Sequence, residues 1–158
     1  MQKITPCLWF DGDAEEAAAF YVTLLPDSRI DRVLRSPADT PSGPAGSVLT
    51  VEFTLAGTQY VALNGGPEFR FTEAVSFQIH CADQTEVDRL WASMAEGGTE
   101  VACGWIKDRW GLSWQIVPVR LEQLIHDPDP GRARRAMEAM MKMVKIDIAT
   151  LERAADGG

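Results

Sequence analysis

The chain has 158 residues, 46% of them hydrophobic, which is enough for one full domain with its own core and too few for two ordinary ones. Its formal net charge of −8 argues against a nucleic-acid partner, whose phosphates demand clustered Lys and Arg, and against an anionic membrane surface. No run approaches the roughly 20 apolar residues of a membrane span, the start MQKITPCLWF lacks the order of a signal peptide, and Cys7, Cys81 and Cys103 are too scattered for a disulfide framework or zinc knuckle, so a cytoplasmic protein with reduced thiols is expected.

In chain order, Ile4 to Phe10 reads as a strand with Ile4, Pro6, Leu8 and Phe10 on one face and Thr5, Cys7 and Trp9 on the other. Asp13, followed by Glu16, is the predicted N-cap of a helix over Ala14 to Leu25 whose Ala17, Phe20, Tyr21, Leu24 and Leu25 form a stripe; Pro26 ends it. Ser28 to Arg35 is a predicted strand. Ser36 to Gly46, rich in proline and glycine, is a predicted mobile loop. Val48 to Leu55 and Gln59 to Leu63 form a hairpin around Ala56-Gly57-Thr58, and Asn64-Gly65-Gly66-Pro67 closes this half.

The second half repeats the order. A strand over Ala74 to Cys81 precedes Asp83, the cap of a helix from Gln84 to Glu96 with Val87, Leu90, Trp91 and Met94 on one face; Gly97-Gly98 terminates it. Strands are predicted at Glu100 to Trp105 and Leu112 to Val119. Two successive units of strand, helix and three strands imply an α+β fold with internal pseudo-symmetry. Helices then follow at Leu121 to His126, Gly131 to Val144 behind Asp129-Pro130, and Asp147 to Ala155.

The segment CGWIKDRWGLSWQIVP, from Cys103 to Pro118, sets a tight polar turn between tryptophan-rich strands. Period-2 alternation puts Trp114, Ile116 and Pro118 on a core face and Ser113, Gln115 and Val117 on the other. A half-buried Gln115 is either a structural hydrogen-bonder or a ligand contact. Cys103 lies close in sequence to Lys107 and Arg109, cations that would activate a thiol, but a buried structural thiol is the simpler reading. Lys107-Asp108 reads as a surface pair or turn. Met137, Met140, Met141 and Val144 form a stripe suited to internal packing or a subunit interface, and Arg132, Arg134, Arg135, Lys142 and Lys145 read as a solvated face or as the complement of an acidic surface on a second subunit.

The strings LWFDGDAEEAAAFYVTLLP, ALNGGP, HCADQTEVDRLW, CGWIKDRWGLSWQIVP and DPDPGRARRAMEAMMKMVKIDIATLE, in this order, resemble the PhnB-like branch of the vicinal-oxygen-chelate (glyoxalase, bleomycin-resistance and dioxygenase) superfamily. The resemblance implies one glyoxalase-like domain over 1–158: paired βαβββ modules at about 1–67 and 74–119 forming a cup-shaped mixed sheet, and a helical tail over 120–158. Many such sequences carry the label 3-demethylubiquinone-9 3-methyltransferase. A methyltransferase of the usual kind needs a glycine-rich loop between a first strand and a helix, whereas Asn64-Gly65-Gly66-Pro67 follows a hairpin strand and precedes no helix, which argues against that activity here.

In the implied cup, Thr5, Cys7, Trp9, Tyr60, Ala62, Asn64, Ser76, Gln78, His80, Ser113 and Gln115 face inward, a mostly polar set suited to a small ligand. Trp9, Asn64, Ser76, Gln78 and Gln115 are the candidate ligand contacts; Trp9 could stack on a flat molecule. The superfamily's metal positions fall by eye on Thr5, Ala62, Ser76 and Gln115, of which only Gln115 is a plausible ligand, and His80 is the nearest addition. That is a poor divalent site, so no cofactor is expected. Gln115, His80 and Cys103 are the candidates for catalysis. The reading is a small-molecule binder with a metal-poor cup, expected as a homodimer; the alternative is a vicinal-oxygen-chelate enzyme acting on a small oxygen-rich substrate, with or without a metal.

Overall fold

A computed structural model describes residues 2–158. The chain divides into two compact units, the first ending at Arg70 and the second spanning Phe71–Gly158. The break falls between the two expected modules.

In the first unit, β1 (Cys7–Phe10) leads into α1 (Ala14–Tyr21), then β2 (Arg29–Arg35), β3 (Val48–Leu55) and β4 (Thr58–Asn64). The sheet order is β1-β4-β3-β2, with β1 parallel to β4 and the remaining pairs antiparallel. Helix α1 packs through Ala14, Ala17, Ala18 and Tyr21, all fully buried, against Leu8, Phe10, Val51, Phe53 and Ala62. Tyr21 and Phe53 have ring centroids 6.0 Å apart, and Phe53 stacks on Tyr60 at 5.4 Å. Small alanines let the helix lie close to the sheet, and aromatic rings join Leu8 and Val51 in filling the interface. The expected cap of α1 is corrected: the Asp13 side chain makes no capping bond, and Asn64 Oδ1 accepts from Ala14 N at 2.9 Å instead. The helix ends at Tyr21, short of the expected Leu25.

The segment expected as a mobile loop is held by its own bonds. Ser36 N donates to Ser47 O at 2.8 Å, Gly46 N to Ser36 O at 2.8 Å, and Ala45 N to Asp39 Oδ1 at 2.8 Å.

The second unit repeats the topology with β5 (Ser76–Cys81), α2 (Gln84–Ala95), β6 (Thr99–Glu100), β7 (Trp105–Lys107) and β8 (Ser113–Pro118), in sheet order β5-β8-β7-β6. Asp83 caps α2 as expected, accepting from Glu86 N at 2.9 Å. Val87, Leu90, Trp91 and Met94 are its buried stripe. The single strand expected at Glu100 to Trp105 is two strands, because Cys103 and Gly104 turn the chain with φ of 58° and 84°. With that correction both units are βαβββ modules with the same strand order, the repeat that the resemblance implied.

The tail consists of α3 (Val119–Ile125), α4 (Pro130–Met140) and α5 (Ile148–Ala155). Val117, Leu121, Leu124, Ala136, Ile146, Leu151 and Ala155 form its core, with Met140 and Met143 packed against it. Because α4 stops at Met140, the expected methionine stripe splits: Met137 and Met141 remain exposed. The tail is fastened to the second module by backbone and side chain. Cys103 N and Gly104 N donate to Met143 O and Val144 O, each at 2.8 Å, and the Gln84 amide grips Ile146 O at 3.0 Å and Ile148 N at 2.8 Å. The tail cations are mostly spent in internal pairs, Arg132 with Asp127 and Asp156, Arg120 with Glu152, and Lys145 with Asp88.

Candidate functional site

Each sheet has one face covered by its own helix and one that is not. Residues in register on neighbouring strands share a face. In module one Leu8 lies beside Ala62 and Phe10 beside Asn64, so Ala62 and Asn64 belong to the helix side; Phe53 beside Tyr60 puts Tyr60 there too. These three were expected in the cup. The correction has a physical cause: bulk does not mark the core face of β4, because the helix above it presents alanines and needs the small Ala62 beneath. The helix-free face carries Cys7, Trp9, Thr50, Glu52, Gln59, Val61 and Leu63.

Two of the expected ligand contacts are committed to the scaffold. The Asn64 amide donates to Val48 O at 3.0 Å while its oxygen caps α1. Trp9 Nε1 donates to Gly66 O at 2.8 Å, and the edge of its ring meets Phe69 at a centroid distance of 4.9 Å. A Cβ on Gly65 would collide with the Trp9 ring, and Gly66 has φ of 101°. The Asn64-Gly65-Gly66 string is thus a seat for Trp9 and a cap for α1.

A cleft of about 320 Å³ runs along module one, lined by Thr5, Asp31, Arg32, Glu52, Gln59, Tyr60 and Val61. Its charges are paired: Arg32 Nε and Nη2 donate to the two Glu52 oxygens at 2.5 and 3.0 Å, which raises the guanidinium pKa above its ordinary value, and Asp31 pairs with Arg29 at 2.9 Å while accepting from Thr54 Oγ1 at 2.7 Å. Burial pushes the Tyr60 phenol up, so it stays protonated at neutral pH.

Module two follows the expected alternation. Register pairs Ser76 with Ser113, Gln78 with Gln115 and His80 with Val117, while β7 sets Lys107 beside Ser113 and Trp105 beside Gln115. The face away from α2, helix-free except at the end where Val117 packs into the tail core, therefore gathers Ser76, Gln78, His80, Ser113 and Gln115. Gln115 Nε2 donates to Ser76 Oγ at 2.8 Å and Gln115 Oε1 accepts from Gln78 Nε2 at 3.2 Å, a polar ladder across two strands. Ser113 is 1% exposed, and its Oγ is the one buried side-chain nitrogen or oxygen among the described residues with no hydrogen-bond partner. Lys107 pairs with Glu73, whose carboxyl is held below the usual range chiefly by that hydrogen bond.

Of the two readings of Lys107-Asp108, a surface pair or a turn, the structure shows the turn, with Asp108 buried rather than on the surface. It is 4% exposed and accepts from Trp110 N at 2.9 Å, Leu112 N at 3.1 Å and Trp114 Nε1 at 2.9 Å, which shapes the turn before β8 and pins the core tryptophan. Cys103 occupies the turn that holds the tail. Cys81 lies under α2, its thiol pushed up to about 12 by burial and then by Glu86, and is inert at neutral pH. His80 Nδ1 lies 3.1 Å from Glu122 Oε1.

Among the described residues no group of three or more His, Cys, Asp or Glu side chains is placed to hold a metal ion. Of the metal positions suggested by the resemblance, Ala62 is under the helix, and Ser76 and Gln115 are bonded to each other. The residues present do not fit a divalent centre of the superfamily's usual kind. The sequence reasoning missed Glu122 and the burial of Asp108. Asp108 had a readable signal in its place at a tight turn ahead of a strand; Glu122 had none, because its partner lies 42 positions away.

The profile of the 3-demethylubiquinone-9 3-methyltransferase family matches residues 2–117. Among solved structures, the PhnB protein from Bacillus cereus is 32% identical with a TM-score of 0.68, the match covering 74% of this chain and 99% of that one. Protein PA1353 from Pseudomonas aeruginosa is 20% identical with a TM-score of 0.62, covering 75% and 98%, and shares the fold. A glyoxalase/bleomycin resistance protein from Albidiferax ferrireducens is 14% identical with a TM-score of 0.45, covering 72% and 95%. No curated protein matches the sequence. The family profile ends at Val117, so the helical tail from Val119 onward lies beyond the region that it matches. The chain belongs to the PhnB-like family that bears the name 3-demethylubiquinone-9 3-methyltransferase, a family name that does not establish its activity.

Proposed function

We propose that the protein binds a small, mainly uncharged molecule on the helix-free face of module two, without a resident divalent metal. The observation that carries this reading is the Ser113 hydroxyl, buried and unpartnered beside the ladder of Ser76, Gln115 and Gln78. Leaving a buried hydroxyl unpaired costs about 1–3 kcal/mol, a cost that a hydrogen-bonding ligand would remove by displacing the side chains that cover it. The ladder supplies amide and hydroxyl groups, and the nearest cation, Lys107, is already neutralised by Glu73, so neither a strongly anionic nor a strongly cationic ligand is favoured. The half-buried Trp105 beside Gln115 offers a flat apolar wall for a ligand ring. The cleft of module one, with its paired charges, gives less reason for a ligand to displace what is already satisfied.

The setting we propose is a homodimer in the cytoplasm, on the composition and family grounds given above. Among the described residues no helix is long and apolar enough to cross a membrane. The test is a thermal-shift screen of neutral hydroxylated and amide-bearing aromatic fragments, run with and without EDTA, on the wild type and on Gln115→Ala. Stabilisation that survives EDTA and is lost in Gln115→Ala is the expected result. Stabilisation that disappears with EDTA would replace this reading with a metal-dependent enzyme.

A further inference from the structure

The tail contributes a carboxylate to the same face. Glu122 sits in α3, beyond the last residue matched by the family profile, and its Oε1 lies 3.1 Å from His80 Nδ1. His80 is on the helix-free face of β5, two positions along from Gln78, hence about 6.6 Å further along the same strand face at roughly 3.3 Å per residue. Its other ring nitrogen, Nε2, has no partner among the described residues, and the side chain is 49% exposed. An ion pair this exposed contributes little to stability, so folding alone gives weak reason for it. What the contact bears on is chemistry at the ring. A carboxylate only accepts, so this proximity favours a proton on Nδ1, and in the neutral ring the lone pair is then on Nε2.

We infer that Glu122 is a positioning residue that holds His80 in the Nδ1–H form, so that Nε2 serves as the acceptor for an O–H or N–H group of the molecule bound on this face. The inference rests on the reading of that face as a binding surface and names one class of ligand for it: small molecules with a hydroxyl or N–H donor at the end nearest the tail. With an acidic donor such as a phenol or enol, the proton passes from the ligand oxygen to Nε2 and the bonding electron pair stays on that oxygen. The imidazolium so formed lies against the Glu122 carboxylate. No bond to carbon changes and no oxidant is required. The arrangement is that of a base oriented by a third group, and the orienting group comes from the segment this chain adds to the family domain.

Two readouts on the full chain test it. In long-range ¹H–¹⁵N spectra the chain has only two histidines, His80 and His126, which His80→Gln separates. At a pH where the rings are neutral, wild-type His80 is expected in the Nδ1–H form, with Glu122→Gln keeping it through the amide oxygen and Glu122→Ala shifting the ring to the Nε2–H form that free histidine prefers. Acylation by diethyl pyrocarbonate reads the lone pair directly. It should modify His80 at Nε2 in the wild type and several-fold more slowly at that atom in Glu122→Ala. An Nε2–H ring in the wild type, or equal tautomer and acylation in Glu122→Ala, would overturn the inference while leaving the Ser113 site intact; fragments that fail to protect His80 from acylation, with the tautomer as expected, would overturn its role toward ligand alone.

Discussion

Replacing Ser113 with alanine removes an oxygen that is buried and makes no hydrogen bond, so the free protein should become more stable. An unpaired buried hydroxyl costs about 1–3 kcal/mol, and the small gap left by alanine returns part of that, for a net gain of about 1 kcal/mol. In a chain of this length that corresponds to a rise in Tm of about 2–4 °C. The control has the opposite sign. Ser76 Oγ accepts from Gln115 Nε2 at 2.8 Å, so Ser76→Ala strands a donor and should lose about 1 kcal/mol. Thermal and urea unfolding of the three proteins without ligand measure both effects. Any ligand that stabilises the wild type through Ser113 should stabilise Ser113→Ala less. A Ser113→Ala protein that is less stable than wild type would show the hydroxyl to be satisfied in the free protein and would remove the ground for the proposed site.

Other expectations follow from the same geometry. Gly65→Ala drives a Cβ into the Trp9 ring, which the Gly66 carbonyl and Phe69 hold in place, and should cost about 1–3 kcal/mol with a change in tryptophan fluorescence; an unchanged melt would show that the seat is loose. Asp108→Ala leaves two backbone N–H groups and the Trp114 indole without their acceptor and should lose about 3 kcal/mol or more, against nearly nothing if Asp108 were a surface residue. The folded-state carboxyls of Glu73, Asp88, Asp127 and Asp147 are all held below their ordinary values, Glu73 chiefly by its hydrogen bond to Lys107 and Asp88 chiefly by Lys145. As pH falls from the ordinary carboxylate range through these lowered values, the unfolded chain binds protons first, so stability is present above that window and lost within it. Lys107→Met should flatten the Glu73 part of this acid limb in urea titrations at successive pH values; an unchanged slope would show that the pair is idle.

The repeat of strand, helix and three strands was legible in the sequence because hydrophobic period, capping aspartates and glycine stops agree in each half. Asp83 and Asp129 cap as their spacing implies. Asp13 does not, since its role passes to Asn64 from a strand 50 residues on, a substitution that local chemistry cannot reveal. Alternation placed the module-two face correctly because Trp114 and Ile116 are bulky and inward. It failed on β4, where the inward residues are Ala62 and Asn64 and the outward ones are Val61 and Leu63. The contrast shows why the inward and outward faces were readable in module two and misread on β4. Side-chain size reports burial only when the covering element is large enough to demand it, and the alanines of α1 are not.

Chemical-shift mapping of fragment binding on the isotopically labelled full chain, in EDTA, tests the central claim most directly. The account expects perturbations concentrated at Ser76, Gln78, His80, Ser113 and Gln115, weakened in Ser113→Ala. Binding that appears only when a divalent ion is restored, or perturbations confined to the Arg32 and Glu52 cleft, would contradict it.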